Sequence, residues 1–440
     1  MKNSASSGST SIHGKEKISS RDFFWIYRAI VQIARILARF FLDKKRIQAI
    51  DQIRVHSRTR PKPSLTTRVW FHGASVGELE SLWALVERFA EDAHYEVILT
   101  VFSQSAYEHA LKCMKRLRLG QVTYAGYSPF EGDWEEGLKL LAPDLFITAK
   151  YEAWPELWHA LGVLGIPLCI VGAKARSSLL WAKRILWITR SRLPKLMLVS
   201  FSSASETKLR NVFKVAEIFT ASDPRWDRVR ARAEQKHERV SALEESLNHF
   251  PRPWIIAGSS WETDWIAWRG KFDSSRFEGT LIAVPHKIDP ASIKAQEILL
   301  RDLGWTPIRS SDRSGIRPAG KIAIVVDEMG FLAELYRLAD LAYVGGGFGS
   351  SIHSTIEPAV HGIPIYAGPE GAEKFDEIAM LRDRGMLHLL ETHEDWAEFR
   401  VASQKKLTPH EQKAWKAGVA AFFGSAQSLT DRLKRENSQS

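Results

Sequence analysis

The sequence predicts an α/β protein built from two doubly wound, Rossmann-like domains that face one another across a cleft. Three observations predict it. Past residue 60, short apolar runs alternate with helical stretches, the signature of parallel sheets covered on both faces. Glycine and polar residues gather just after these runs, where open α/β sheets hold their ligands. The alternation also restarts after a basic, helical stretch at 228–248, which divides the chain in two.

Residues 1–20 are Ser-rich and are expected to be a disordered tail. Residues 21–48 read as an interfacial membrane helix, because Arg21, Arg28, Gln32, Arg35, Arg39 and Arg46 fall in one sector about 60° wide opposite a broad apolar face. Each buried arginine would cost about 2.5–3.5 kcal/mol at a bilayer centre, so lying in the interface with the arginines toward lipid phosphates is favoured over spanning. The segment has no small-residue cleavage site of a signal peptide.

Residues 49–225 form the first domain, with strands expected at 68–72, 97–102, 122–124, 145–148, 167–171, 196–201 and 218–221. Residues 226–252 are expected to link the domains. Residues 253–440 form the second, with strands expected at 254–257, 281–284, 322–326, 341–344 and 363–367.

Composition is that of a globular chain, with 45% hydrophobic and 25% charged residues. Two cysteines, Cys113 and Cys169, point to a reducing compartment without a disulfide framework. No His-x-x-x-His pair or grouping of Cys with His stands out among the fourteen histidines, so no protein-built metal site is expected. The net charge of +10 favours an anionic partner. No nucleic-acid-binding motif is present, which leaves an anionic membrane surface or a phosphorylated substrate. The basic region of Lys174, Arg176, Lys183, Arg184, Arg190 and Arg192, interleaved with Trp181 and Trp187, suits either a membrane surface or a solvated face.

Leu341 to Val344 runs into Gly345, Gly346 and Gly347, where the missing Cβ atoms let a phosphate approach backbone N–H groups. Glu357 and Pro358 then open a helix, and a carboxylate there can accept both hydroxyls of a ribose. Gly73-Ala74-Ser75-Val76-Gly77 fits a nucleophile elbow, which would make Ser75 a hydrolase serine. Ser75 and Glu78 equally fit a capping box, as do Ser259-Ser260-Trp261-Glu262 and Ser203-Ala204-Ser205-Glu206. A cleft-edge carboxylate at Glu78 could instead take a proton from a hydroxyl nucleophile.

In order, His72 to Glu78, Tyr151-Glu152-Ala153-Trp154-Pro155, Ala257 to Glu262, Pro285-His286, Met329-Gly330, the Gly345 run, His353, Glu357-Pro358 and Gly368-Pro369 resemble the Kdo transferase family over about residues 65–385. The resemblance implies a GT-B glycosyltransferase, inverting and metal-independent, that moves 3-deoxy-D-manno-octulosonic acid (Kdo) from CMP-Kdo to a lipid A precursor. It implies no cofactor beyond that donor substrate, and attachment to the cytoplasmic face of the inner membrane through the N-terminal helix. The C-terminal helix would pack back on the first domain. Oligomeric state stays open.

Residue by residue, the resemblance puts Glu78 on the catalytic base. It puts Ser259, Ser260, His286, Met329, Gly330, Gly346, Gly347, His353 and Glu357 on the CMP-Kdo site, with Glu357 at the ribose. Ser75, Gly77, Glu152, Lys174, Glu262, Lys287 and Ser354 complete the candidate substrate-binding set. The chain departs from the family pattern in three places. Ser354 replaces a common Asn, Lys150 and Tyr151 precede Glu152 where acidic residues are usual, and Gly172-Ala173-Lys174 replaces Asn-Ala-Arg, turning a forked phosphate contact into a point charge. A UDP-sugar transferase, a serine hydrolase and a non-catalytic membrane-binding protein are the alternative readings.

Overall fold

The computed structural model describes residues 24–38, 48–63, 65–115, 122–150, 152–312 and 320–438, and in it each of the expected strand segments forms a strand. The first half holds β1 (Thr67–Gly73), β2 (Tyr95–Val101), β3 (Val122–Tyr127), β4 (Leu145–Ala149), β5 (Leu168–Val171), β6 (Leu196–Ser200) and β7 (Glu217–Thr220). They lie side by side in the order β3-β2-β1-β4-β5-β6-β7. The second half holds β8 (Trp254–Ser260), β9 (Thr280–Pro285), β10 (Thr306–Arg309), β11 (Ile322–Val325), β12 (Leu341–Val344), β13 (Ile365–Ala367) and β14 (Leu387–Leu389). Their order is β10-β11-β9-β8-β12-β13-β14. All pairings are parallel. Helices bury both faces of each sheet, so the central strands are buried on both faces along most of their length rather than alternating.

The winding reverses between β1 and β4 in the first sheet and between β8 and β12 in the second. A crevice opens beyond the carboxyl ends of the strands at such a reversal, because the connecting chains leave in opposite directions. Two strands were not legible. β10 is an edge strand with Pro307 and partly exposed side chains, and β14 is three residues long with His388 at its centre.

Residues 226–252 are largely helical, with helices Arg225–Ala233 and Glu238–Leu247. Trp226 is fully buried among Val344, Ile356 and Phe422, so the first of these helices docks on the second half. The terminal helix Ser425–Ser438 returns to the first half, where Ala426, Leu429 and Leu433 enter the core with Leu82, Leu85 and Phe89. The Asp227 carboxylate accepts the N–H groups of Gly424 at 2.6 Å and Ala426 at 2.8 Å, a negative charge at a helix start.

On helix Phe24–Ala38, Arg28 departs from the expected arginine stripe toward lipid. Phe24 is buried and stacks on His159 at 3.9 Å, Tyr27 donates to Glu131 at 2.8 Å, and Arg28 pairs with Glu135. Arg28 therefore faces the protein, drawn by acidic groups on the first half, while Trp25, Ile26 and Ile30 are exposed. Residues 1–20, Arg21, Arg39 and Arg46 lie outside the described residues. Among the described residues no helix is long and apolar enough to cross a membrane.

Candidate functional site

The first crevice is made by the ends of β1 and β4. β1 stops at Gly73, where a Cβ would meet the Leu79 backbone nitrogen at 2.9 Å, and the chain turns directly into helix Val76–Ala90. Ser75 caps that helix. Its Oγ accepts from Glu78 N at 3.4 Å and donates to the Glu78 carboxylate at 3.1 Å, while Ser75 N donates to the same carboxylate at 3.0 Å. Ser75 thus bonds to Glu78, and the nearby His72 ring is engaged by Thr100 at 3.1 Å, which is not a serine–histidine nucleophile pair. Gly77 has open space beside it.

Beyond β4, Glu152 lies 3.4 Å from His72 Nε2 and accepts from Trp154 Nε1 at 2.6 Å. The two carboxylates are driven apart. Burial, then the charge of Glu152, raises Glu78 above the ordinary range against the opposing bonds from Ser75. Burial also acts upward on Glu152, but the contacts with His72 and Trp154 bring it below the ordinary range. Of the two, Glu78 is the stronger base.

Lys150 follows β4 with a left-handed φ of 56°, a conformation that β-carbon residues seldom adopt. Burial lowers its amine's affinity for a proton, helped by Arg225.

The second crevice is made by the ends of β8, β9 and β12. The β8–β9 register shifts between Gly258 and Ser260, and Ser259 bulges out at φ 52°. The bulge leaves the Ser259 side chain partly exposed. Ser260 points the other way. It is fully buried and donates to Gln296 Oε1 at 2.9 Å, so it supports the loop instead of opening toward a ligand. The helix Glu262–Trp268 is capped by Asp264, whose carboxylate accepts Trp261 N at 2.8 Å, rather than by the Ser259–Glu262 spacing; Glu262 is exposed at its start. At 203–206 the cap is likewise displaced by one residue, Ser202 accepting from Ser205 N.

The glycines after β12 admit protein backbone rather than an open phosphate cradle. A Cβ at Gly345 would meet Ser259 O at 2.4 Å, and one at Gly347 would meet Gly368 O at 2.3 Å. Gly346, at φ 91°, donates its N–H to Asp264 at 2.9 Å, and Gly346 and Gly347 are both buried. Asp264 also accepts from Tyr343 at 2.8 Å, so this buried carboxylate ties β12, the glycine turn and the helix start together.

Around that frame Trp261 stacks on His286 at 4.4 Å, His286 stacks on His353 at 4.5 Å, and Lys287 Nζ lies 5.3 Å from the Trp261 ring centroid. Trp261 Nε1 donates to His353 Nε2 at 2.9 Å. Burial, then His286, lowers His353 to about 4. Burial raises Glu357 to about 7, against the charge of Arg232. Met329 and Gly330 are exposed, with Gly330 at φ 97°, and Ser354 is partly exposed. The buried hydroxyls of Ser351 and Thr355 make no hydrogen bond, two acceptor–donor groups close to Gly346 and Glu357 that the sequence reading did not single out.

Lys174 is held by the protein itself. It bridges the halves, 3.0 Å from Asp376 and donating to Lys374 O at 3.0 Å. Arg225 adds a second bridge, 2.9 Å from Glu377 and 2.7 Å from Asp223. The expectation of no Cys and His at ligand spacing also fails. His109 and Cys113 are one helical turn apart on Gln104–Met114, with Glu80 beside them.

Comparison with known proteins decides the family. Residues 23–244 match the family model described as 3-deoxy-D-manno-octulosonic-acid transferase (kdotransferase). The chain belongs to this family. Two relatives among the Kdo transferases are the 3-deoxy-D-manno-octulosonic acid transferases of Chlamydophila psittaci and Aquifex aeolicus. The first is 24% identical over 391 residues, covering 83% of this chain and 83% of the relative. The second is 26% identical over 329 residues, covering 72% and 81%.

In structure, the UDP-GlcNAc 2-epimerase from Neisseria meningitidis superimposes with TM-score 0.55 at 10% identity, over 84% of this chain and 100% of that one. Acinetobacter baumannii MurG does so with TM-score 0.52 at 14% identity, over 84% and 97%. These likenesses bear on the fold alone. With the two seven-stranded parallel sheets, they show that this Kdo transferase family member has the GT-B fold and is a glycosyltransferase by family.

Proposed function

We propose that this Kdo transferase family member transfers Kdo from CMP-Kdo to a lipid A precursor of the lipid IVA type, with inversion and without a metal at the reacting centre. The observation that carries the mechanism is the split pair of Glu78 and Glu152 at the end of the first sheet. An acceptor hydroxyl gives its proton to Glu78 as its oxygen bonds to the anomeric carbon, and the bond from that carbon to the CMP phosphate breaks. One displacement inverts the anomeric centre. CMP carries the departing electron pair, so the protein's task is to orient donor and acceptor and to stabilise the charge that develops.

On this reading Ser259, His286, Lys287, His353, Ser354, Met329 and Gly330 face the donor. Glu357 accepts from the ribose, and the Ser351 and Thr355 hydroxyls offer it further partners. Gly346, Gly347 and Ser260 shape this site from behind, through Asp264 and Gln296. The exposed Trp25, Ile26 and Ile30 suit peripheral attachment to the cytoplasmic face of the inner membrane, where the acceptor resides.

A donor screen tests this reading. CMP release from CMP-Kdo that depends on a tetra-acylated, bis-phosphorylated lipid A precursor supports it. Turnover of a UDP-sugar with none of CMP-Kdo overturns it.

A further inference from the structure

Behind the first crevice, three side chains with metal-binding atoms converge. Glu80 follows Glu78 by two residues on helix Val76–Ala90, about 200° around the helix and so on nearly the opposite face. His109 and Cys113 share one face of helix Gln104–Met114. His109 Nε2 meets Glu80 Oε1 in a short contact and lies 3.4 Å from Cys113 Sγ. One ligand atom from each of the three residues lies within 4.8 Å of the other two.

The spacing suits a metal. Zinc bonds of about 2.3 Å to sulfur and about 2.0–2.1 Å to nitrogen put the two atoms roughly 3.5 Å apart at a tetrahedral angle. The Sγ to Nε2 separation here is 3.4 Å.

A cation already stands on the fourth side. Arg228 reaches over from helix Arg225–Ala233, its Nη2 donating to Cys113 Sγ at 3.1 Å and its Nη1 lying 2.5 Å from Glu80 Oε2. The guanidinium lies 5.5 Å from the Trp83 ring and lines a cavity of about 430 Å³ together with Cys113, Glu87, Arg88 and Arg232. The cavity gives an ion a way in and the arginine a place to go.

We propose that Glu80, His109 and Cys113 form a binding site for one divalent cation of the zinc class, and that Arg228 occupies the fourth corner of that site. On binding, Cys113 releases its thiol proton to solvent and ligates as thiolate. The Glu80 carboxylate and a neutral His109 complete the protein ligands, and a water fills the position left by Arg228. Two negative ligands balance the dication. The softness of thiolate and imidazole selects zinc or cobalt over magnesium or calcium. Because Arg228 belongs to the helix that Trp226 anchors on the second half, occupancy also releases one tie between the halves.

Cobalt titration of the reduced, metal-free, full-length protein tests this. The expected result is one equivalent bound, with a thiolate-to-cobalt charge-transfer band in the near ultraviolet. Cys113→Ser should abolish the band, and His109→Ala should weaken binding by at least about tenfold. Arg228→Met, which vacates the fourth corner, should tighten binding by about tenfold, a gain that an unfolded variant could not produce. No band in the wild-type protein, a band that persists in Cys113→Ser, or an unchanged affinity in Arg228→Met would each overturn the proposal.

Discussion

His72 Nε2 lies 3.4 Å from the Glu152 carboxylate, a contact that lowers this acid while its neighbour Glu78 is raised. Glu152 is held below the ordinary carboxylate range by His72 and Trp154 against the effect of burial, whereas burial and the Glu152 charge lift Glu78 above it. The proposed base must be ionised to work. Activity should therefore fall as pH drops through the raised value of Glu78, with an acid limb above the ordinary glutamate value of 4.5. A pH profile of CMP release with a limb at or below that value would contradict the assignment.

Glu152→Gln should move the same limb toward lower pH, because it removes a negative charge that raises Glu78. Activity measured between pH 4 and 8 in both proteins checks the sign. A limb that stays put would mean the two carboxylates do not communicate.

Lys174 and Asp376, 3.0 Å apart across the halves, should behave as one unit. Lys174→Met and Asp376→Asn are expected to shift thermal stability alike. The double variant should be no worse than either, giving a coupling of about 1 kcal/mol. Were Lys174 acting on substrate phosphate instead, its effect would appear in the acceptor KM and be independent of Asp376.

Glu357 couples stability to function with opposite signs. Burial raises its value to about 7, so the folded chain holds this proton more tightly than the unfolded chain does. Its stabilising effect is complete below the unfolded value near 4.5 and is lost as pH rises through about 7. Glu357→Gln, a neutral mimic, should therefore raise the melting temperature above pH 7 by a few degrees, on the order of 1–3 kcal/mol. It should also weaken donor binding in calorimetry. Unchanged donor affinity would remove Glu357 from the ribose.

Much of this was legible in the sequence, and the gaps have physical causes. Buried parallel strands are continuous apolar runs, so β1 to β7 and the central strands of the second sheet stood out; β10 and β14, short and at the edges, did not. The glycines after β12 were visible, but the protein backbone they admit was not. Whether a missing Cβ admits a phosphate or the backbone at Ser259 and Gly368 depends on contacts far apart in sequence. The same holds for Asp264, Gln296 and the Lys174–Asp376 bridge, each defined by a partner at least 30 residues away. His109 and Cys113 were in plain helical register, but Glu80 and Arg228 join them only in the fold. Arg28 was placed on the lipid side because amphipathicity alone does not say which face meets Glu135.

The measurement that bears most directly on the account is acceptor-dependent CMP release from CMP-Kdo, compared between the wild-type protein and Glu78→Gln. Gln keeps an acceptor for the Ser75 N–H, so the weakened cap should cost no more than about 1 kcal/mol of stability. The account predicts acceptor-dependent release by the wild type and a fall of at least about 100-fold in a folded variant. Release at wild-type rates by Glu78→Gln would contradict it.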